Sequence, residues 1–179
     1  MGLDSHTEVH ASQIAKRLTA RASRASRDKL AFAEGIARAG VEVSRVLEAG
    51  GTVFAAGNGG SATQSQHLTS ELVGRFRNDR SGLRAISLTV EPAVMTAIGN
   101  DFGFDQVFAR QIEALAGPED LFIAFSTSGR SQNLLVAADL ARERGLVVVG
   151  ITADGSELGD SCHVVVNAPP GSTASIQED

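Results

Sequence analysis

Two short runs in this chain put glycines and hydroxyls where a helix is about to begin. The first is Gly57, Asn58, Gly59, Gly60 and Ser61, and the second is Ser126, Thr127, Ser128, Gly129, Arg130 and Ser131. Each follows a short apolar stretch that reads as a buried strand, and each precedes a helical pattern. The glycines of the first run let the backbone turn tightly and bare its N–H groups, and Ser61 stands where a helix N-cap belongs. Free amides, hydroxyls and the positive end of a helix dipole together suit the oxygens of a phosphate monoester. Ten residues after Gly57 comes His67, and four after that Glu71. On a helix these two side chains share one face, one turn apart. Taken singly, each signal has an ordinary explanation: turn chemistry with a serine cap, or a solvated surface pair.

The elements that must position these residues follow from periodicity. Strands are expected over 52–56, 85–89, 121–125, 146–152 and 163–167, with helices between them, and such alternation predicts an α/β chain with a doubly wound parallel sheet. The predicted fold is a three-layer αβα sandwich whose five strands run in the order 2-1-3-4-5. In that order the first and third strands are neighbours at the topological switch point, where ligands bind beyond the carboxyl ends of the strands. The two serine-and-glycine turns follow those two strands. They are therefore expected to converge on one crevice fit for a small phosphorylated ligand. A mononucleotide loop has no support, since no Lys follows the glycines, and the glycine spacing does not fit a dinucleotide fingerprint.

Ahead of this core, residues 1–50 read as two helices. The first carries Val9, Ile14 and Leu18. The second, over about 28–48, carries Phe32, Ile36, Val43 and Leu47 on one stripe, and Gly50 and Gly51 end it. Stripes this narrow suit pairing between helices of different subunits, or a helical cover on the sheet. Glu91 and Pro92 open a helix after the second strand. Gly99, Asn100, Asp101 and Gly103 then read as a break, followed by a helix over 104–115 with Val107, Phe108, Ile112 and Leu115 inward.

Composition narrows the function classes. The chain has 179 residues, a formal net charge of −5 and one cysteine, Cys162. One domain with a full core fits that length. A negative chain without a basic cluster argues against a nucleic-acid surface. A lone cysteine suits a reducing cytoplasm. No apolar run approaches the ~20 residues of a membrane span, and the polar start MGLDSHTEVH is unlike a signal peptide.

Four segments resemble one family, the SIS (sugar isomerase) domain, and within it the bacterial phosphoheptose isomerases: AAGNGGSATQSQHLTSELVGRF, TAIGNDFGFDQVFARQ, STSGRSQN and the terminal SIQE. The resemblance covers nearly everything from about Gly51. It implies a cytoplasmic enzyme that interconverts sedoheptulose 7-phosphate and a D-glycero-manno-heptose 7-phosphate, assembled as a homotetramer around its N-terminal helices. It further implies that Ser61, Ser126, Thr127, Ser128 and Ser131 hold phosphate, that Asn58 and Asp101 meet the sugar, and that Gly59, Gly60 and Asn100 also bind substrate. His67, Glu71 and Gln177 match a zinc site, with Glu71 also an acid–base residue and Gln177 a substrate contact. An aldose–ketose isomerisation through an enediol needs such a base.

Two departures stand beside this. The family continues past the match to Gln177 into a helix bearing a further metal-ligating His, whereas this sequence stops at Asp179, and Ser175 stands where the family usually has Arg. From these the chain as given is expected to hold zinc weakly and to isomerise slowly. His163 is the obvious substitute ligand, but its place at the start of a strand suits a structural role. The alternative function is a non-catalytic SIS-domain protein, binding sugar phosphate or a protein partner such as a replication initiator. Such relatives typically lose the carboxylate that matches Glu71.

Overall fold

The structure is a computed structural model that describes residues 29–167, with side chains from Ala31 onward. The expected first helix and the segment holding Gln177 lie outside those residues. The chain runs α1 (Lys29–Glu48), β1 (Val53–Gly57), α2 (Gly60–Val73), β2 (Ala85–Ser87), α3 (Pro92–Phe102), a 3₁₀ turn (Phe104–Gln106), α4 (Ala109–Leu115), β3 (Leu121–Ser126), α5 (Gln132–Glu143), β4 (Val147–Thr152), α6 (Glu157–Asp160) and β5 (Val164–Asn167). The sheet has five strands in the order β2-β1-β3-β4-β5, and every pairing is parallel. This is the expected doubly wound topology.

Alternation along the strands builds two cores. Phe54, Ala56, Phe122, Ala124 and Val148 point to one face, where they meet Phe108, Ile112, Leu134, Ala138 and Leu158 from the covering helices. Val53, Ala55, Leu121, Ile123, Phe125 and Val149 point to the other, against Val46 of α1 and the half-buried Leu68 and Leu72 of α2. Successive side chains of a strand face opposite ways, so a strand buried on both faces must be apolar throughout. All five residues of β1 and all six of β3 are buried.

Four expectations are corrected. The inner stripe of α1 contains Phe32, Val43 and Leu47 but not Ile36, which is 50% exposed. Gly35 takes the inner place because α1 lies so close to β5 that a Cβ there would sit 3.1 Å from the Val165 carbonyl oxygen. Secondly, α3 runs through Gly99, Asn100 and Asp101 and stops only at Gly103, whose φ is 89°. Met95 and Ile98 pack on the core, and this outweighs the cost of about 1 kcal/mol for a glycine inside a helix. Thirdly, the expected helix over 104–115 is a 3₁₀ turn followed by a short α-helix. The tighter turn shifts the phase, so Ala116 is inside at 6% exposure while Leu115 is 57% exposed. Strand β2 is also shorter than expected, because the Ser87 and Thr89 hydroxyls bond each other at 2.8 Å where pairing ends.

At the amino-terminal end of the sheet, buried Asp120 ties β1 to β3. Its carboxyl oxygens accept from the Thr52 and Gly117 backbone N–H groups, each at 2.7 Å. Asp120→Ala leaves both donors unpaired. It is expected to lower unfolding free energy by about 3 kcal/mol, read by chemical denaturation, with ligand affinity of the folded protein unchanged because the crevice lies at the opposite end of the sheet.

Candidate functional site

The first turn leaves β1 at Gly57 and enters α2. Helix α2 starts two residues earlier than expected: Gly59, at φ 56°, holds the N-cap position and Gly60 is the first helical residue. Ser61 is therefore inside the first turn and is not the cap. Its backbone N–H donates to the Asn58 carbonyl at 3.0 Å, and its side chain is 4% exposed. No side chain caps α2; the Ala62 and Thr63 N–H groups donate to the Gly59 carbonyl at 3.0 and 3.4 Å, which leaves the Gly60 N–H as the first-turn amide open to a ligand.

The second turn leaves β3 at Ser126 and enters α5. The Ser126 hydroxyl accepts from the Gly129 N–H at 3.0 Å, which closes the loop on itself. Thr127 is half-buried, and Ser128, exposed, accepts from the Arg130 N–H at 3.3 Å. Ser131 occupies the N-cap position of α5, yet its hydroxyl makes no capping bond. That hydroxyl and the first amides of α5 are thus both free for a ligand. Gly129 has φ +62°, and a Cβ there would meet the Ser156 Cβ at 2.2 Å and the Thr152 hydroxyl at 2.6 Å. The loop after β4 braces the turn at this point, with the Leu158 N–H donating to the Gly129 carbonyl at 3.0 Å.

The two turns meet. Asn58 and Asn133, 75 residues apart, exchange a pair of hydrogen bonds between their side-chain amides, both 2.9 Å. Asn133 is 3% exposed. The sequence reading passed over it, although it stands inside the quoted STSGRSQN segment. Its only signal was position: a polar amide in the first turn of a helix directly after a candidate phosphate loop.

The remaining candidates sit apart from this cradle. The buried face of α2 is Ser61, Ser65 and Thr69. His67 is exposed and Glu71 half-exposed, on the side of the helix turned from the sheet. Ten residues at 1.5 Å each place Glu71 roughly 15 Å along α2 from Ser61, so a ligand held at the first turn must be several bonds long to reach this pair. Asn100 and Asp101 lie exposed on the last turn of α3 and bond each other at 2.7 Å. The structure does not join them to either turn, and Gln177 lies outside the described residues. Among the described residues no three of His, Cys, Asp and Glu cluster as a metal site. His67 and Glu71 alone fall short of the three protein ligands zinc takes. His163 is committed elsewhere: its Nδ1 accepts from the Val148 N–H at 3.0 Å, and its backbone N–H donates to the Val148 carbonyl at 2.8 Å. Burial pushes the Cys162 thiol up to about 12, and it donates to the Leu158 carbonyl, so it is no nucleophile.

Comparison with known proteins agrees with this fold. A family model for the SIS domain matches residues 15–153. The phosphoheptose isomerase of Bradyrhizobium sp. (strain BTAi1 / ATCC BAA-1182) is 43% identical over 172 residues, 96% of this chain and 86% of that protein. That of Rhodospirillum rubrum is 44% identical over 147 residues, 82% of this chain and 78% of its own. Among solved structures, the phosphoheptose isomerase GmhA of Neisseria gonorrhoeae superposes with a TM-score of 0.82 at 34% identity, covering 97% of this chain and 91% of that one. The phosphoheptose isomerase of Francisella tularensis gives 0.80 at 32%, covering 98% and 92%. Sequence and fold thus agree over almost the whole length, and the chain belongs to the SIS-domain family, in its phosphoheptose isomerase branch.

Proposed function

We propose that this protein isomerises sedoheptulose 7-phosphate to D-glycero-manno-heptose 7-phosphate, an aldose–ketose exchange through an enediol. The observation that carries this is the meeting of two hydroxyl-and-amide turns at the carboxyl ends of β1 and β3, on a chain of the phosphoheptose isomerase branch. The phosphate sits between Gly59, Gly60 and Ser61 on one side and Ser126, Thr127, Ser128 and Ser131 on the other. Asn58, Asn100 and Asp101 meet the sugar hydroxyls. Glu71 takes the proton from the carbon beside the carbonyl and returns it to the neighbouring carbon. A hydroxyl proton passes to the old carbonyl oxygen, so the reaction needs no external oxidant or reductant. Binding energy from the phosphate, remote from the reacting carbons, orients them. The relatives reported above all carry the enzyme's name, and none supports the non-catalytic alternative.

Zinc enters this reading only as a group to be tested. His67 and Glu71 supply two donors, and Gln177, a neutral oxygen donor poorly suited to zinc, is the third that the family resemblance implies. Zinc would polarise the carbonyl, and no step here depends on it. The same reading includes a homotetramer built on α1 and the residues before it, in the cytoplasm. Supporting it, α1 exposes Ile36 at 50% and Val41 at 65%, and no helix of the described residues is long and apolar enough to cross a membrane.

Three measurements test the proposal. Ser128→Asp puts a carboxylate where the phosphate must sit and should abolish sugar-phosphate binding in calorimetry; unchanged affinity refutes the shared cradle. Glu71→Gln keeps the shape and removes the base. Turnover should fall by roughly 10²–10⁴-fold, the span of a positioned acid–base group, with phosphate-driven binding retained. Light scattering of the intact protein should give the mass of four chains, and a one-chain mass would overturn the tetramer.

A further inference from the structure

Beyond the sheet, the two turns are separate loops with separate sequence neighbourhoods. Parallel pairing of β1 with β3 ends at Gly57 opposite Phe125. Among the described residues, the hydrogen bonds that then join the Gly57–Ser61 turn to the turn before α5 are the two between Asn58 and Asn133. A primary amide carries two N–H donors and two lone pairs. The reciprocal pair consumes one of each on both residues and forms a closed ring. Asn133, almost fully buried, needs that ring, because a buried amide without partners is costly. Asn58 is only half-buried. It keeps one N–H and one lone pair for a ligand in the crevice.

We propose that Asn133 is a positioning residue: its amide, locked to that of Asn58, sets the spacing of the two phosphate-holding turns and the plane in which Asn58 meets the sugar. The proposal rests on the reading that the phosphate lies between these turns. A side-chain amide turns about a broad, roughly two-fold torsion. Tied into a ring, that torsion is restrained before the ligand arrives, so less freedom is lost on binding. Asn133 itself stands behind Asn58 and is not a contact of the substrate. Its effect should therefore appear in affinity more than in turnover.

The test is a pair of substitutions at one position. Asn133→Ala breaks the ring. KM for sedoheptulose 7-phosphate should rise about tenfold, as expected for losing buried hydrogen bonds that pre-order a site, while kcat changes by less than about threefold. Combining it with Asn58→Ala should cost no more than Asn58→Ala alone, since both break the same ring. Asn133→Asp is nearly isosteric and discriminates further. Ionised, its carboxylate accepts from the Asn58 N–H but faces the Asn58 oxygen without a proton. Protonated, its O–H donates to that oxygen and the ring closes again. The ratio of variant to wild-type KM should therefore fall toward one as pH drops through the titration of the new carboxyl, whose burial raises its pKa. A merely structural asparagine would lower the melting temperature in both variants yet leave KM at the wild-type value and the ratio flat with pH, and that result overturns the proposal. So does a loss confined to kcat. Calorimetry with inorganic phosphate separates this from the parent reading. Wild-type protein that binds phosphate but turns over no heptose phosphate refutes the proposed function. A tenfold weaker phosphate affinity in Asn133→Ala would still support the positioning role.

Discussion

The in-register parallel pairing of β1 and β3, from Val53 opposite Leu121 to Gly57 opposite Phe125, is the constraint on which the rest of the molecule depends. Both strands are buried on both faces, so a slip of one residue would turn each side chain into the wrong core. That rigidity is inherited at both ends of the pair. Below, Asp120 bonds the residue that enters β1 and the turn that precedes β3. Above, the chain leaves both strands at the same level, and two turns far apart in sequence come within reach of a single amide pair. The cradle is thus positioned by a buried sheet rather than by the loops that form it. Loops alone would offer the same hydroxyls at no fixed spacing.

Helix α2 shows how local sequence and site chemistry are reconciled. Its sheet-facing side sets Ser61, Ser65 and Thr69, small and buried, beside the half-buried Leu68 and Leu72, where a covering helix usually has large apolar residues throughout. The Ser65 and Thr69 hydroxyls are satisfied internally: Ser65 bonds the Ala62 carbonyl at 2.8 Å and the Ser87 hydroxyl at 2.9 Å, and Thr69 bonds the Ser65 carbonyl at 3.1 Å. Small side chains let the helix sit close to β1 and β2, with its first turn near the end of the strand. At the other end the guanidinium of Arg80 donates to the Leu72 carbonyl at 2.8 Å and to the Glu71 carbonyl at 2.6 Å. A cation there complements the negative end of the helix dipole and satisfies its last carbonyls. The helix is closed at its carboxyl end by a side chain of its own chain and has no side-chain cap at its amino end, which is the polarity an anion site needs.

Much of this was legible in the sequence because it rests on period and composition. The apolar runs gave five strands, their alternation with helices gave the strand order, and the order placed both turns in one crevice. Helix starts were harder. Ser61 looked like the cap, but Gly59 can take a positive φ that serine avoids, and the helix began earlier. Ile36 looked like core because a glycine next to it gives no hydrophobic signal, although the absence of a side chain is what lets α1 meet β5. Gly99, Asn100 and Asp101 read as a break because local propensity carries no information about Met95 and Ile98, which hold the helix to the core. Asn133 and Gln111 were missed for a further reason. Gln111 donates to the Leu88 and Val107 carbonyls, and Asn133 pairs across 75 residues. A buried amide of this kind is defined by a distant partner and leaves no local pattern.

The site therefore divides into two parts of different completeness. The part proposed to hold phosphate lies within residues 29–167, where each turn has its glycine and its hydroxyls and the Asn58–Asn133 pair ties the two together. The reacting part is represented there by His67 and Glu71, on the face of α2 that the sheet does not cover. His163, exposed just before β5, is spent on the backbone of β4, and Cys162 is held protonated by burial. Neither can swing across to complete a proton relay or a metal shell. An outward-facing carboxylate–imidazole pair is solvated, and a base in open water gains little of the environment that tunes it for proton abstraction from carbon. For Glu71 to act as the proposed base, that face of α2 has to be covered by groups that exclude water and add further polar contacts.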